Sequence, residues 1–354
     1  MLRIFTRRSL DVRYFTDDPA LELDGLRPHG PGWWLRGAGD TSDPAVVGAV
    51  LTSSERASVV GYDVVVAAPR PVSVLLALDE SSGGALVAAH RHAVAAAMGY
   101  LEERGLIVRT QVAGERHDVA ARWEKVVAYT HGVNRHGEPH LHDHVVVGAR
   151  PAGEDTVLDR RSLAAHATAA DALYLATLRH QVNARTVWRA WRSFQGHDHV
   201  VGVDEGYRVL WGGHHDGRGN KLAWSREEAR TTWRRDLARY QREAAPDAPR
   251  YDFDPHAYAA SFEGALSVAR RDVVTAWAHA STFGERAARI DGGLDLLVPA
   301  LADQRGVRET SITVAQARGL ESSISRMLAS DRVRDPARQR EREGASRAGS
   351  WRSR

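Results

Sequence analysis

Between His131 and His144 the chain reads His-Gly-Val-Asn-Arg-His-Gly-Glu-Pro-His-Leu-His-Asp-His, with Val126-Val127-Ala128-Tyr129-Thr130 before it and Val145-Val146-Val147 after it. The flanking runs are β-branched and aromatic, and Asn134 to Pro139 supplies the residues a tight reversal needs, so the stretch predicts a β-hairpin. Strand side chains alternate, which puts His140, His142 and His144 on one face. A turn centred between His136 and Gly137 sets His131 directly opposite His142 on that face, where cross-strand Cβ atoms lie roughly 5 Å apart. Three imidazoles then converge within one ribbon, whatever the rest of the chain does.

The bland alternative is a polar hairpin carrying surface histidines. A lone histidine fits that description; His142 and His144 at alternate positions with His131 opposite do not. Neutral imidazole is the commonest metal ligand, and three such ligands with an open position are typical of catalytic sites. There is no cysteine, which excludes disulfides, thiolate metal sites and a cysteine nucleophile, so metal chemistry falls to histidine.

The 354 residues, 43% of them hydrophobic and 26% charged, suffice for one large or two ordinary domains. No apolar run approaches the ~20 residues of a membrane span. Met1 to Arg8 lacks the apolar centre of a signal peptide, so the expected compartment is the cytoplasm, without membrane insertion. The net charge is +3, yet Lys125 and Lys221 are the only lysines among 48 basic residues. Arginine suits phosphate because its fork binds two oxygens at once, but the balance alone does not identify a nucleic-acid protein.

In chain order, Leu2 to Thr6 predicts a strand and Ser9 to Phe15 the start of a helix. Pro19 to Pro44 reads as a loop anchored by Trp33 and Trp34. Gly61 to Ala68 predicts a strand, Val72 to Leu78 a helix and Gly84 to Arg104 a long alanine-rich helix. Leu106 to Val112 and Val119 to Thr130 predict neighbouring strands, Thr156 to Leu158 a short one, and Ala164 to Val182 a helix. Interleaved strands and helices predict an α/β or α+β sandwich. Tyr207 to Trp211 and Lys221 to Trp224 flank a glycine-rich tip, Gly212 to Gly219, as a second hairpin. Ser225 caps a helix to about Ala244, Ala245 to Arg250 is a linker, and helices are expected over Pro255 to His279, Phe283 to Leu301 and Ser311 to Ala329. Asp331 to Arg354, with eight arginines against four acids, reads as a disordered basic tail.

Four stretches in this order resemble the MobF-type conjugative relaxases, members of the HUH endonucleases: Tyr14-Phe15-Thr16-Asp17; Trp33-Trp34-Leu35-Arg36-Gly37-Ala38; Gly61-Tyr62-Asp63 running into Ala68-Pro69-Arg70-Pro71-Val72-Ser73; and His131 followed by Glu138-Pro139-His140-Leu141-His142-Asp143-His144. The resemblance covers residues 1 to about 185 well and 186 to about 300 in outline. It implies an α+β fold, a central antiparallel sheet flanked by helices in a palm-like two-layer sandwich, with a C-terminal helical part that clamps DNA. The implied division is a relaxase unit over 1–300, comprising a catalytic core at 1–185 and a DNA-binding clamp at 186–300, then a helical extension at 301–330 and the tail at 331–354.

The resemblance also implies roles. His131, His142 and His144 would hold a divalent metal, Mg2+ or Mn2+ with Zn2+ as the alternative. Tyr14 would attack the scissile phosphate of single-stranded DNA, giving a 5′-phosphotyrosine and a free 3′-hydroxyl. Asp63 would orient a ligand histidine and help deprotonate the tyrosine. Arg70, standing where the family often has lysine, with Arg36, His140 and Arg218, would contact DNA, aided by the arginine-rich helix Arg226 to Arg242; Trp188, Trp191 and Trp224 could stack on unpaired bases, but core packing is the preferred reading of each. Tyr129 falls on the histidine face opposite His144 and rivals Tyr14 geometrically; the family position implies a structural aromatic.

Two departures stand out. Phe15 takes the second place of the tyrosine doublet, with no tyrosine between Tyr14 and Tyr62, which argues against a second tyrosine step; and there is no Gly-Lys-Ser/Thr phosphate loop, so unwinding would come from elsewhere. The expected function is nicking at an origin of transfer. Expected partners are single-stranded or hairpin origin DNA, a separate helicase, accessory DNA-binding proteins and a secretion coupling protein. The alternatives are a rolling-circle replication initiator or transposase, a three-histidine oxygenase or hydrolase acting on a small molecule, and a non-catalytic DNA-binding module with a structural metal.

Overall fold

A computed structural model describes residues 1–12, 15, 32–41, 43–51, 59–79, 82–134, 137–151, 156–186, 190–192, 198–200, 226–237, 253–302 and 310–334. In chain order the first strands are β1 (Leu2–Arg7), β2 (Gly32–Arg36), β3 (Gly61–Ala67), β4 (Ile107–Val112), β5 (Glu115–Ala120), β6 (Val126–Val133) and β7 (Pro139–Gly148). Five of them form an antiparallel sheet in the order β1-β3-β7-β6-β2. The histidine ribbon, β6 with β7, therefore lies inside the sheet, where both strands are held by neighbours and neither can splay. Their residues are almost all buried, as expected of strands covered on both faces.

One face packs on helices α2 (Arg70–Leu78), α3 (Gly83–Tyr100) and α4 (Arg160–Arg185), numbered after the single-turn α1 (Pro44–Gly48). Tyr62, Val64, Val66, Ala128, Val145 and Val147 meet this layer. The helices approach each other through small side chains: Ala89, Ala93 and Ala97 recur at helical spacing on α3, and Ala169, Ala172 and Ala176 on α4, all at most 1% exposed. A tryptophan or leucine row would hold them further apart. The same core continues into α7 (Arg270–Ala280), α8 (Ala287–Leu297) and α9 (Val314–Arg334), through Val273, Trp277, Ile290, Leu294, Ala317, Ile324 and Leu328. These follow α5 (Arg226–Leu237) and α6 (Pro255–Ala260). The other sheet face carries a smaller cluster, Val12, Phe15, Val47, Val50, Leu51, Val127, Tyr129 and Val146.

The α+β sandwich is as expected, but several elements differ. Trp33 and Trp34 lie not in a loop but in β2, where they pair with Ala128 and Val127 of β6. Ser9 to Val12 is not helical. Val119 to Thr130 is two strands: β5 closes a hairpin with β4 through Ala113 and Gly114, both at positive φ (52° and 88°), the turn that matches strand twist. The chain then breaks, with Trp123 buried and its N–H donating to Glu102 at 3.0 Å, before β6 enters the main sheet. Thr156 to Leu158 shrinks to one bridge, Leu158 with Val108.

The expected helix over Pro255 to His279 is also two. Gly264, at φ +75°, ends the first part, β10 (Val268–Ala269) pairs with β11 (Ser311–Ile312), and Asp272 accepts from the Ala269 N–H at 2.8 Å to start α7. Phe283 to Leu301 reduces to α8 and a short turn at Pro299–Leu301. Ser311 to Ala329 gives up its first two residues to β11. The sequence pattern missed the short pair β8 (Ala190–Arg192) and β9 (Asp198–Val200). The Tyr207 to Trp224 hairpin with Arg218, the Ala245 to Arg250 linker, Trp188 and residues 335–354 of the basic tail lie outside the described residues.

Candidate metal centre

The ribbon has the register expected of it: His131 pairs with His142 and Tyr129 with His144. A shift between His131 and Val133 absorbs the mismatch that the Asn134–Glu138 reversal introduces. That reversal is tied by its own side chains, Asn134 Nδ2 donating to Glu138 Oε2 at 2.6 Å and the Glu138 N–H to Asn134 Oδ1 at 3.1 Å. The ring centroids of His131, His142 and His144 form a nearly equilateral triangle with sides of 5.1, 5.2 and 5.3 Å. A nitrogen of each ring lies within 4.8 Å of the other two.

Two of the rings have their orientation fixed by what holds Nδ1. Both Asp63 oxygens stand 3.0 Å from His144 Nδ1, because β3 lies beside β7 and places Asp63 in the row next to His144. His142 Nδ1 is 2.8 Å from the His140 carbonyl. With Nδ1–H donating in each, the lone pair is left on Nε2, the tautomer a metal ligand needs. Burial, then the adjacent His144 imidazole, pushes the His142 pKa down to about 4, so the ring is neutral at ordinary pH. The donor set therefore fits a divalent ion: three imidazoles whose ring nitrogens lie within 4.8 Å of one another, with a carboxylate behind one of them.

His140 stands beside the triangle, its ring 4.7 Å from that of His142, and burial followed by the His142 imidazole pushes its pKa down to about 3. Arg70, the first residue of α2, donates to the Pro139 carbonyl at 3.0 Å and lies 3.6 Å from Glu138, so it sits at the mouth of the ribbon. Arg36 does not join the site. Its fork is taken by both Glu102 oxygens, at 2.5 and 2.6 Å, and by the Trp123 carbonyl at 2.6 Å. Tyr14 and Arg218 lie outside the described residues.

Phe15, the residue bonded to Tyr14, is buried with its ring 5.4 Å from His144 and stacked on Tyr129 at 5.4 Å. Tyr129 lies on the histidine face, but its hydroxyl donates to the Thr41 carbonyl at 3.0 Å, and burial, then Asp40, raises its pKa. A phenol so committed is a poor nucleophile.

Three further features escaped the sequence reading. Asp143 points to the opposite face and is wholly buried; its carboxylate lies 3.2 Å from His90 Nε2 and accepts from Trp33 Nε1 at 3.0 Å, while His90 Nδ1 meets the Tyr174 hydroxyl at 2.8 Å. Burial raises the Asp143 carboxyl pKa, but the His90 imidazole, Thr130 and Arg91 outweigh it and hold the group below the usual range. Trp233 of α5, one of the buried tryptophans, donates to the Gly137 carbonyl at 2.8 Å, fastening that helix to the ribbon tip. Ser73 of α2 accepts from the Leu141 N–H at 3.0 Å. Each partner is distant in sequence, so no local pattern signals it.

A sequence profile described as TrwC relaxase matches residues 20–212. Solved structures similar to this chain include the conjugative relaxase TrwC in complex with oriT DNA in a metal-bound form (17% identity, TM-score 0.53) and in a copper-bound form (17%, 0.55). Another is TrwC complexed with a 27-mer DNA comprising the recognition hairpin and the cleavage site (16%, 0.52). Each match covers 69% of this chain and all of the other. At such identity the likeness is one of fold. No curated protein matches.

Proposed function

This chain belongs to the TrwC relaxase family, and from that premise we propose that it nicks one DNA strand at an origin of transfer through a covalent 5′-phosphotyrosine. Tyr14 is the nucleophile, and His131, His142 and His144 hold the divalent metal. The observation that carries this reading is the triangle of imidazoles, backed at His144 by Asp63 and abutted by the residue next to Tyr14. The replication, transposition and small-molecule alternatives draw no support from the family.

When bound, the ion neutralises charge on the non-bridging oxygens of the scissile phosphate. An all-imidazole donor set favours Zn2+ over Mg2+ and Mn2+, which prefer oxygen ligands. The protein's own residues do the rest. His144 is aimed by its double contact with Asp63 and His142 by its contact with the His140 carbonyl. The Tyr14 oxygen attacks phosphorus in line, its proton leaves to solvent or a nearby carboxylate, and the bond from phosphorus to the 3′ oxygen breaks. That oxygen leaves as a 3′-hydroxyl and the 5′ end stays on the protein. Buried Tyr129 remains outside the reaction, and Arg70 meets the strand at the ribbon mouth. The strand is single-stranded or hairpin origin DNA; a separate helicase, accessory DNA-binding proteins and a secretion coupling protein complete the pathway in the cytoplasm.

The test is incubation with a labelled single-stranded origin oligonucleotide. A covalent adduct that needs Mn2+ or Zn2+, and that His142→Ala abolishes, is expected; no adduct, or one indifferent to metal, would overturn the reading.

A further inference from the structure

The face that carries the histidines extends onto β1, at the sheet edge, and the side chains there take no part in the chemistry above. Alternation turns Leu2 and Ile4 toward the helices and leaves Arg3, Phe5 and Arg7 on the histidine face. The registers set rows across the sheet: Phe5 opposes Asp63, which opposes Val146; Arg3 opposes Val65, which opposes His144. Phe5 is thus the neighbour of the carboxylate that orients His144, and two strand spacings, about 10 Å, from β7. It is 49% exposed, whereas Phe15 and Tyr129 on the same face are buried. Arg3 is exposed beside it, and Arg7 lies over the Phe15 ring at 4.8 Å.

An open aromatic on an edge strand is a liability for a protein, since edges and apolar patches invite association. Here it stands among cations, next to a site that handles a phosphodiester. Paired bases hide their faces in the duplex, but an unpaired base offers a flat surface that an aromatic ring can cover, while its phosphates meet arginine.

We propose that Phe5 is a stacking platform for an unpaired base close to the phosphate held at the histidines, with Arg3 pairing a neighbouring phosphate. The platform rests on the nicking reading above and adds to it a means of selecting single-stranded over duplex DNA. It holds the strand as it passes from the metal toward the sheet edge, so that stacking fixes the position of the scissile phosphate.

Binding of a fluorescently labelled oligothymidylate to the full chain, followed by anisotropy, tests it. Phe5→Ala and Phe5→Leu are expected to weaken binding about tenfold, while Phe5→Trp preserves it. Arg3→Ala is expected to weaken binding and lower the slope of log affinity against log salt by about 0.7. Mn2+ affinity, measured by calorimetry, should be the same in all four variants, which separates loss of the platform from loss of the fold. Wild-type binding with Phe5→Leu unaffected, or Phe5→Trp as weak as Phe5→Ala, overturns the platform and leaves the nicking reading standing. Absence of oligothymidylate binding by the wild type likewise overturns the platform, while the nicking reading is decided separately by the adduct with origin DNA.

Discussion

Asp63 directs both carboxylate oxygens at one ring nitrogen, and that geometry determines what its loss does. Asn can still accept from His144 Nδ1–H through one oxygen, but without the charge that makes the imidazole a stronger ligand. Asp63→Asn should therefore lower metal affinity by about 10- to 100-fold while the melting temperature of the metal-free protein barely moves; competition titration with a chromophoric chelator reads the affinity, and an unchanged value would remove Asp63 from the site. A second expectation follows from the depressed His142 and His140 pKa values of about 4 and about 3. In the unfolded chain both titrate near 6.5, so between those limits the unfolded state binds more protons, and stability is full above about pH 6.5 and lost as pH falls toward 4. Urea midpoints of the metal-free protein should drop between about pH 7 and about pH 5, and His142→Gln should flatten that drop; a midpoint independent of pH would contradict it. The histidines and Asp63 were legible because they sit at alternating positions or in a motif. The structural part of Tyr129 was legible only through the family resemblance: alternation places it on the histidine face, and its partners, the Thr41 carbonyl that takes its hydroxyl and the Phe15 ring stacked on it, are remote in sequence.

Among the elements, the ribbon was readable in register as far as the His131–His142 pair, because two runs of strand formers flank the reversal and the histidines report the face; the shift beyond it, which pairs Val133 with Pro139, was not. β2 was not, since its pairing partner is β6, far along the chain, and the glycine, proline and aspartate around it resemble a loop. Helix ends went wrong where a single glycine or cap intervenes, as at Gly264 and Asp272. Close approach is the clearest element-scale constraint. Gly284 has φ +87°, and a Cβ there would lie 2.2 Å from the His180 nitrogen and 2.3 Å from the Ala176 oxygen, both backbone atoms of α4. Neither can yield without breaking the helix, and the conformation itself disfavours a side chain. Gly284→Ala should cost on the order of 3 kcal/mol, read as a shift in chemical denaturation; a stability within a few tenths of wild type would show that the segment moves freely away from α4.

At the scale of the molecule, the C-terminal helices are bound to the sheet layer by charge as well as by apolar contact. Arg104, 3% exposed just past α3, and Arg270, wholly buried on α7, share the carboxylates of Asp291 and Asp295 on α8, at 2.6 to 3.3 Å. Asp291→Ala leaves two buried guanidiniums short of a partner and should destabilise the whole protein by about 3–5 kcal/mol in one cooperative transition; separate unfolding of the helices from the sheet would show that the two parts do not share a core. Composition and periodicity foretold that these helices exist, but not that they pack on the catalytic layer, because an ion network between residues nearly two hundred positions apart leaves no local trace. The central claim, that the amino-terminal phenol is joined to DNA at a centre built by the distant ribbon, is tested most directly by tandem mass spectrometry of the protease-digested covalent adduct. The account predicts a nucleotide attached through its 5′ phosphate to Tyr14, absent when Mn2+ and Zn2+ are chelated; attachment at Tyr62 or Tyr129 instead, or at Tyr14 without any metal, would contradict it.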